Sequence, residues 1–407
     1  MDVGLSASPP LTSTNDVSLV LSGVSTLDGR TVDVAIGGGM VRAIGTLGAV
    51  AAGPGTEIVA GHGRLCVRPV TDAHLHLDKA GTAASDAPPC GSVMEAIAAM
   101  RAVKERARDD DTALRERMRA VARRVAASGT GCARVDVDVD EIWGLLSFRA
   151  AVDLREALRP WIDLRVVAFP QDGMTPHVAD LLREAAADAD AIGAHTDIDA
   201  DVVAHMRTAA AIAREADLPL EVHTDEGAAP DLFFLPVVLD EAGDLDLTLV
   251  HCLSLATLDA AAQDRWIGEI AALPRARVTI APSAVAYGSP VAPLRRLVDA
   301  GVAVAFGTDN LHDLFNPLGT GRMFEIARQA ALVGGVLGEP YAAAVVAGIS
   351  DLAYQAATGV AAAIEVGSPA TFDLLEATNA VDVLRGVDGV AARVRAGLVV
   401  AGAGAGA

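Results

Sequence analysis

The chain has 407 residues, 52% of them hydrophobic, which is enough for one large core with a smaller appended unit. Its formal net charge of −21 makes the surface poorly suited to nucleic acid or to anionic membranes, so neither partner is expected. The most apolar stretch, Ala330–Ile349, is interrupted by Glu339-Pro340 and by paired glycines, so it does not predict a membrane span.

Two features predict a reducing, cytoplasmic location. The start of the chain lacks the charged and apolar regions of a secretion signal. The four cysteines are scattered and form no Cys-x-x-Cys pair, which argues against both a disulfide framework and a thiolate zinc site.

The two ends of the chain differ from its middle in composition and in the spacing of apolar residues. Residues 1–16 are rich in Ser, Pro and Thr and are predicted to be a disordered tail, and so is the Gly/Ala segment 401–407. Residues 17–66 alternate short apolar runs with glycine turns, and short apolar runs resume over 366–400. These two segments are predicted to be the N-terminal and C-terminal parts of one small β-sandwich.

The middle of the chain, residues 67–365, alternates apolar runs with Ala-rich helical stretches. The runs predict strands at Val67–His76, Arg134–Val139, Leu164–Phe169, Ala191–Ala194, Leu220–His223, Leu247–His251, Arg277–Ile280 and Val302–Phe306. Helical patterning covers 92–127 (with a break near residues 109–111), 179–188, 202–216 and 293–300. About eight β-then-α units predict an α/β fold, a parallel (β/α)8 TIM-like barrel.

Polar side chains end or follow four of these strands. They are His74 and His76, then His223 and Glu226, then His251, then Asp309 and Asn310. Residues i and i+2 of a strand share a face, so the first pair could bind one metal ion together. Active sites of such barrels lie at the C-terminal strand ends, where all these side chains would face one space. Imidazoles with a carboxylate suit Zn²⁺ or Fe²⁺, and Glu226, beyond its strand, could overhang the metal and handle protons.

These residues lie within longer motifs, which are Asp72–Lys79, Phe169-Pro170-Gln171, 223–226, 306–310 and 316–319. Together they resemble the amidohydrolase superfamily, and within it the cytosine deaminase group, which includes enzymes like N-isopropylammelide amidohydrolase. The resemblance runs over about residues 17–400 and implies a barrel with a β-sandwich.

The resemblance also implies a role for each matching residue. It implies metal ligation by His74, His76, His223 and Asp309, with Asp309 also accepting a proton from the attacking water. It implies Glu226 as proton shuttle, His251 as the residue orienting the water, and Gln171 as a hydrogen-bonding partner of a heterocycle. By analogy alone, it suggests a homo-oligomer.

Lysine is scarce in this chain, and this bears on the number of metals. Some relatives hold two metals bridged by a carboxylated lysine on a mid-barrel strand. This chain has only Lys79 and Lys104, so one metal is expected unless a carboxylate takes over the bridging role.

Three departures from the family pattern bear on the substrate. Cytosine deaminases carry a second aspartate where Asn310 stands, and an amide donates as well as accepts. This weakens the case for cytosine, allows a ring bearing a carbonyl, and makes Asn310 a candidate substrate-binding residue. Thr308 replaces a histidine of the bacterial enzyme, and the family's Arg-x-His-x-Asp strand has Asp136 where its histidine would be.

The resulting prediction is a metal-dependent hydrolase that deaminates an amino-substituted N-heterocycle of pyrimidine or triazine type. One alternative is hydrolysis of a cyclic amide or of an N-alkylamino heterocycle. The other is a catalytically silent metal-binding barrel, although a silent protein need not keep Glu226 beside a full ligand set.

Overall fold

The computed structural model describes residues 16–83, 91–108, 111–339 and 341–400. Residues 1–15 and 401–407, which hold the two predicted tails apart from Asp16, lie outside the described residues. No helix in the described ranges has both the length and the apolar character to cross a membrane.

The chain begins with a four-stranded sheet. Its strands are β1 (Leu19–Ser25), β2 (Thr31–Gly37), β3 (Met40–Thr46) and β4 (Glu57–Ala60), in the order β3-β2-β1-β4. Gly38 and Gly39, with φ of 58° and 75°, form the two-residue connection between β2 and β3. Two consecutive positive φ values match the twist of a tight hairpin, and glycine adopts them without a side-chain clash.

The central sheet has eight parallel strands. In chain order they are β6 (Thr71–His76), β7 (Cys132–Asp138), β8 (Asp163–Phe169), β9 (Ala191–His195), β10 (Leu220–Thr224), β11 (Leu247–His251), β12 (Ala276–Ile280) and β13 (Ala303–Phe306). Each strand pairs with the next along the chain, from β6 to β13. The predicted TIM-like barrel is confirmed.

The helices lie mostly between barrel strands. They are α1 (Val93–Arg106), α2 (Asp111–Ala127), α3 (Leu146–Leu158), α4 (Pro176–Ala185), α5 (Val202–Ala216), α6 (Leu235–Ala242), α7 (Ala260–Ala271), α8 (Leu294–Asp299), α9 (Met323–Val333), α10 (Tyr341–Ala347), α11 (Asp351–Thr358) and α12 (Ala380–Arg385). Short 3₁₀ turns occupy Pro230–Leu232, Leu253–Thr257 and Pro282–Tyr287.

A second four-stranded sheet joins the two ends of the chain. It combines β5 (Cys66–Val67) with β14 (Phe372–Leu375), β15 (Val390–Arg395) and β16 (Leu398–Val400). Buried side chains of both four-stranded sheets share one core, in which Leu21 and Ile36 of the first sheet meet Phe372 and Val394 of the second. The terminal segments thus build the expected β-sandwich.

One predicted strand is wrong in its extent. Val67–His76 was expected to be a single barrel strand, but the chain leaves the sandwich sheet after Val67 and enters the barrel only at Thr71. Pro69 lies between the two, and proline has no N–H to continue a sheet ladder.

Candidate active site

The barrel closes at the residues that were predicted to bind metal. The backbone N–H of Asp309 donates to the carbonyl of His74, and the N–H of His76 donates to the carbonyl of Asp309, both at 2.8 Å. The chain approaches this closely because residue 307 is glycine. A Cβ there would lie 2.6 Å from both the Cβ and the carbonyl oxygen of His74. Closure therefore sets the Asp309 carboxylate beside both imidazoles of the first barrel strand.

A further pair of bonds ties the last strand to the first. The hydroxyl of Thr308 donates to Asp72 at 2.6 Å, and its backbone N–H donates to the same carboxylate at 3.0 Å. Asp309 follows with a φ of 63°, a conformation that costs a non-glycine residue of the order of 1–3 kcal/mol. Such backbone persists where the surrounding structure holds it, as these bonds do.

The ring nitrogens of three histidines converge on one point. Nε2 of His223 lies 3.1 Å from Nε2 of His74 and 3.2 Å from Nε2 of His76. Oδ1 of Asp309 lies 3.5 Å from the Nε2 atoms of His74 and His76. Ligands about 2.0–2.1 Å from a tetrahedral zinc are separated by about 3.3–3.4 Å, so these four residues fit a divalent cation with N/O ligands.

Carboxylates lie behind the first of these rings. Nδ1 of His74 is 3.1 Å from Oε1 of Glu221 and 3.3 Å from Oδ1 of Asp136, and all three side chains are fully buried. Arg134 forms an ion pair with the other oxygen of Glu221. A carboxylate on the far nitrogen of a histidine ligand fixes its tautomer and strengthens its binding to metal.

The charges of the cluster agree with a cation site. Burial and the cationic Lys79 lower the pKa of His76 well below its ordinary value, and burial with the neighbouring His74 does the same for His223. Burial alone would also lower the pKa of His74, but the carboxylates around it, led by Asp136, outweigh burial and raise it. In the absence of a metal, His74 carries the positive charge that these carboxylates favour, and a bound cation would supply that charge instead.

Glu226 lies at the edge of this cluster. Its Oε1 is 3.3 Å from Nε2 of His251 and 3.7 Å from Nε2 of His195. Burial raises the pKa of Glu226 to about 7 and lowers that of His251 to about 4. A carboxyl group that gains and loses its proton near neutral pH is suited to general acid–base work, and a neutral His251 can orient a neighbouring group by hydrogen bonding.

Gln171 and Lys79 form a second polar group beside the metal ligands. Nζ of Lys79 lies 2.7 Å from Oε1 of Gln171, and 2.9 Å from Oδ1 of Asp138 and from Nδ1 of His76. Burial would lower the pKa of Lys79, but Asp138 and Asp78 outweigh it and raise that pKa. The lysine therefore stays cationic inside the protein.

These side chains line one cavity at the C-terminal end of the barrel. It offers about 610 Å³ of space, including its opening to solvent. Its lining includes the candidate ligands and proton-transfer residues His76, His223, Glu226, His251 and Asp309, together with Lys79, Gln171, Asn310, Tyr287, Phe315 and Asn316.

Comparison with known proteins gives a consistent answer. The chain is 30% identical to a pterin deaminase of Rhizobium rhizogenes over 279 residues, which are 64% of this chain and 64% of that protein. It thus spans less than two thirds of that curated relative. The structure of an N-isopropylammelide isopropylaminohydrolase from Burkholderia multivorans superposes with a TM-score of 0.80 at 26% identity, covering 95% of this chain and 99% of that chain.

The structural neighbours of the chain are deaminases and hydrolases of the amidohydrolase superfamily. A 5-methylcytosine deaminase of Klebsiella pneumoniae, solved with 5-fluorocytosine, superposes with a TM-score of 0.83 over 94% of this chain and 97% of that chain. At 22% identity this second superposition shows the shared fold alone. No family model matches the chain.

The structure brings together every residue that the sequence nominated for the candidate site. The ligand candidates converge, and Glu226, His251, Gln171 and Asn310 line the same cavity. The departure at Asp136 also gains a structural meaning, because this carboxylate, standing where a histidine was expected, approaches His74.

Three further residues of the candidate site were not predicted from the sequence. They are Glu221, Lys79 and His195. Glu221 lies inside a strand, and site residues were expected only at strand ends. Lys79 belongs to the first motif, but the sequence gives a lysine there no role other than bridging two metals. His195 ends β9, one residue beyond the predicted strand, and its position at a barrel strand end was the available signal.

Proposed function

We propose that this chain is a metal-dependent hydrolase that deaminates an amino-substituted N-heterocycle and releases ammonia. The observation that carries the proposal is the position of Glu226. This carboxyl group, only 14% exposed and with a pKa of about 7, lies 3.3 Å from His251 Nε2 and shares a cavity with the convergent ligand set. A silent barrel would have no use for a proton-transferring group at that point.

We infer that one divalent cation, Zn²⁺ or Fe²⁺, binds His74, His76, His223 and Asp309. The support is the convergence of three imidazole nitrogens and one carboxylate oxygen: Nε2 of His223 and Oδ1 of Asp309 each lie 3.1–3.5 Å from the Nε2 atoms of His74 and His76. When bound, such a cation would lower the pKa of a water toward about 7. A single ion is favoured because the chain has no lysine on a mid-barrel strand to bridge two.

The protons of a deamination can be assigned to residues of this chain. Water gives one proton to a carboxylate, Glu226 or Asp309, as its oxygen bonds to the ring carbon. Glu226 then delivers a proton through Oε1 to the neighbouring ring nitrogen. Glu226 then takes the proton of the hydroxyl group formed on the ring carbon and gives it to the exocyclic nitrogen. The C–N bond breaks, ammonia leaves and the carbon keeps the oxygen as a carbonyl. His251 orients the oxygen throughout by hydrogen bonding.

The proposed substrate is a planar ring of pyrimidine, triazine or pterin type. The polar lining of the cavity supports it, and so do the relatives, whose names refer to pterin, isopropylammelide and methylcytosine. The test is metal-loaded protein against pyrimidines, triazines, pterins and cyclic ureas, with detection of ammonia. Release of ammonia from an amino-bearing ring is expected, and no release from any such ring would contradict the deaminase proposal.

A second candidate is hydrolysis of an N-alkylamino group, with release of an alkylamine. It is favoured by the 26% identity to N-isopropylammelide isopropylaminohydrolase, which extends over 95% of this chain. Product analysis separates the two, because a deaminase yields ammonia and the alternative yields an alkylamine. Hydrolysis of a cyclic amide would yield neither and would open the ring.

We also infer that the protein works in a reducing compartment such as the cytoplasm. Cys66, Cys132 and Cys252 are buried free thiols, and burial raises the pKa of each, so they remain protonated and unreactive. The net charge of −21 supports a small-molecule substrate over nucleic acid or a membrane surface. The inference of a homo-oligomer rests on the resemblance alone, and size measurement in solution tests it.

A further inference from the structure

The two amide side chains of the cavity, Gln171 and Asn310, are each held by a charged neighbour. Oε1 of Gln171 lies 2.7 Å from the ammonium nitrogen of Lys79. Nδ2 of Asn310 lies 2.7 Å from Oδ1 of Asp309. An ammonium group can only donate a hydrogen bond and an ionised carboxylate can only accept one. Each contact therefore decides which end of the amide is oxygen and which is nitrogen.

For Gln171 the consequence is a free donor. Oε1 of Gln171 accepts a hydrogen bond from Lys79. The other polar atom of the amide is therefore Nε2, which lies 3.3 Å from Nδ1 of His195. His195 is 2% exposed, and its Nδ1 also lies 3.2 Å from the backbone carbonyl oxygen of Gln171. The NH₂ group has two hydrogens; His195 accepts one if its Nδ1 is unprotonated and neither if Nδ1 donates to the Gln171 carbonyl. At least one is therefore available to a molecule in the cavity.

For Asn310 the consequence is a free acceptor. Its Nδ2 is committed to Asp309, and its Oδ1 is buried without a hydrogen-bond partner among the described residues. A buried acceptor left unpaired costs about 1–3 kcal/mol unless a ligand or water satisfies it. The oxygen is therefore available to accept a hydrogen bond from an N–H group of a molecule in the cavity.

We propose that Lys79 is a positioning residue for substrate selection, because it fixes the orientation of the Gln171 amide. The substrate ring must then offer an acceptor to Gln171 Nε2 and an N–H group to Asn310 Oδ1. This inference rests on the proposed function and narrows it. The exocyclic oxo oxygen of an amino-oxo ring is such an acceptor, whereas an exocyclic amino group at the same position would set one donor against another. The substrate class is therefore an amino-oxo heterocycle, and a ring with amino groups on both edges is excluded by the donor of Gln171.

Lys79 is suited to this role because its own position is fixed. The two lysines of the chain, Lys79 and Lys104, bind opposite oxygens of Asp138, at 2.9 Å and 2.6 Å. Lys104 continues to Asp140 at 2.6 Å. Of these two lysines, only Lys79 contacts Gln171 in the described hydrogen bonds. The chain thus contains its own matched control, a second buried lysine on the same carboxylate.

The experiment compares two rings that differ only at one edge, 4-amino-2-oxopyrimidine and 2,4-diaminopyrimidine. Ammonia release gives kcat/KM for each ring with four proteins: wild type, Lys79→Met, Lys104→Met and Gln171→Glu. Thermal unfolding shows whether each variant is folded, and metal analysis shows whether it is loaded. Wild type should prefer the oxo ring by about 100-fold. Lys79→Met should reduce that preference to within about 10-fold, because the amide can then rotate, and Lys104→Met should retain it. Gln171→Glu should reverse it.

The ratio of kcat/KM for the two rings distinguishes positioning from structural support. A variant that only destabilises the barrel should lower kcat/KM for both rings by the same factor. A folded Lys79→Met variant that keeps the wild-type preference, or a wild type without preference, would overturn the inference. Binding of 2-oxopyrimidine and 2-aminopyrimidine, measured by calorimetry, separates this inference from the proposed function. If no ring is deaminated but the oxo ring still binds more tightly in wild type and not in Lys79→Met, the deaminase proposal fails and the role of Lys79 stands.

Discussion

The backbone N–H of Asp309 donates to the carbonyl oxygen of His74 at 2.8 Å, so the last barrel strand meets the first at the metal ligands themselves. Their side chains reach the same point, with Oδ1 of Asp309 3.5 Å from Nε2 of His74. Barrel closure and ligand geometry are therefore one structural event. A change that separates these two backbones should disrupt both.

Gly307→Ala should produce this separation. Its Cβ would lie 2.6 Å from the Cβ and carbonyl oxygen of His74, and backbone atoms cannot move aside as a flexible side chain can. We expect loss of about 2–3 kcal/mol of unfolding free energy together with loss of bound metal. Gly268→Ala, within helix α7, is the control, because its Cβ meets nothing within 4 Å and should be neutral or slightly stabilising. Denaturant unfolding and metal analysis measure both, and normal metal content in Gly307→Ala would show that closure does not set the ligands.

Glu226→Gln should abolish turnover without removing the metal. Gln keeps the shape of the side chain but cannot carry a proton between water and the ring nitrogen, so we expect kcat to fall by about 10²–10⁴-fold. Metal content should not change, because Glu226 is outside the proposed ligand set. Glu269→Gln, on the exposed face of α7, should have wild-type activity. Undiminished turnover by the loaded Glu226→Gln protein would refute the proton shuttle.

The same variant tests the raised pKa of Glu226 through stability. In the metal-free folded protein this pKa is about 7, against an ordinary value of 4.5. Below pH 4.5 the group is protonated in both folded and unfolded states. As pH rises to 7 the unfolded chain releases the proton first, so stability is lost through this window and the loss is complete above it.

Glutamine has no titrating proton, so the variant does not lose unfolding free energy in this pH window. Relative to wild type, metal-free Glu226→Gln should gain about 3 kcal/mol of unfolding free energy between pH 4.5 and 8, since one pKa unit corresponds to about 1.4 kcal/mol. Urea unfolding of both proteins at several pH values measures the difference, in which the other titrating groups largely cancel. A difference that is independent of pH would mean that Glu226 has an ordinary pKa.

Glu221→Gln should weaken metal binding. Oε1 of Glu221 lies 3.1 Å from Nδ1 of His74, and loss of a carboxylate behind a histidine ligand costs about 10–100-fold in metal affinity. Glu184→Gln is the matched control, because it also removes a carboxylate bound to an arginine, Arg149, but on the exposed surface. Competition with a chelator gives both affinities. Equal affinity in the two variants would indicate that Glu221 only neutralises Arg134.

Much of the site could be predicted because its residues end strands. His74 and His76 alternate with apolar residues on one strand, so their shared direction follows from period-two geometry. His251 and Asp309 follow apolar runs, and parallel strands place their C-terminal ends together. What could not be predicted is the side chain that supports each of them from another strand. Glu221 sits inside β10 and reads as an ordinary strand residue until β6 is folded against it.

The sequence by itself determined which residues are available to bind a metal and in what order the strands carry them, because these follow from periodicity and from motifs a few residues long. It also determined that no barrel strand after Lys104 carries a lysine that could bridge two metal ions. The tertiary structure decided which atoms face one another across the barrel. Lys79 meets Gln171 across 92 residues of chain and His74 meets Glu221 across 147, and such contacts depend on strand register and barrel closure. For that reason the amides of Gln171 and Asn310 show their donor and acceptor ends only in the folded protein.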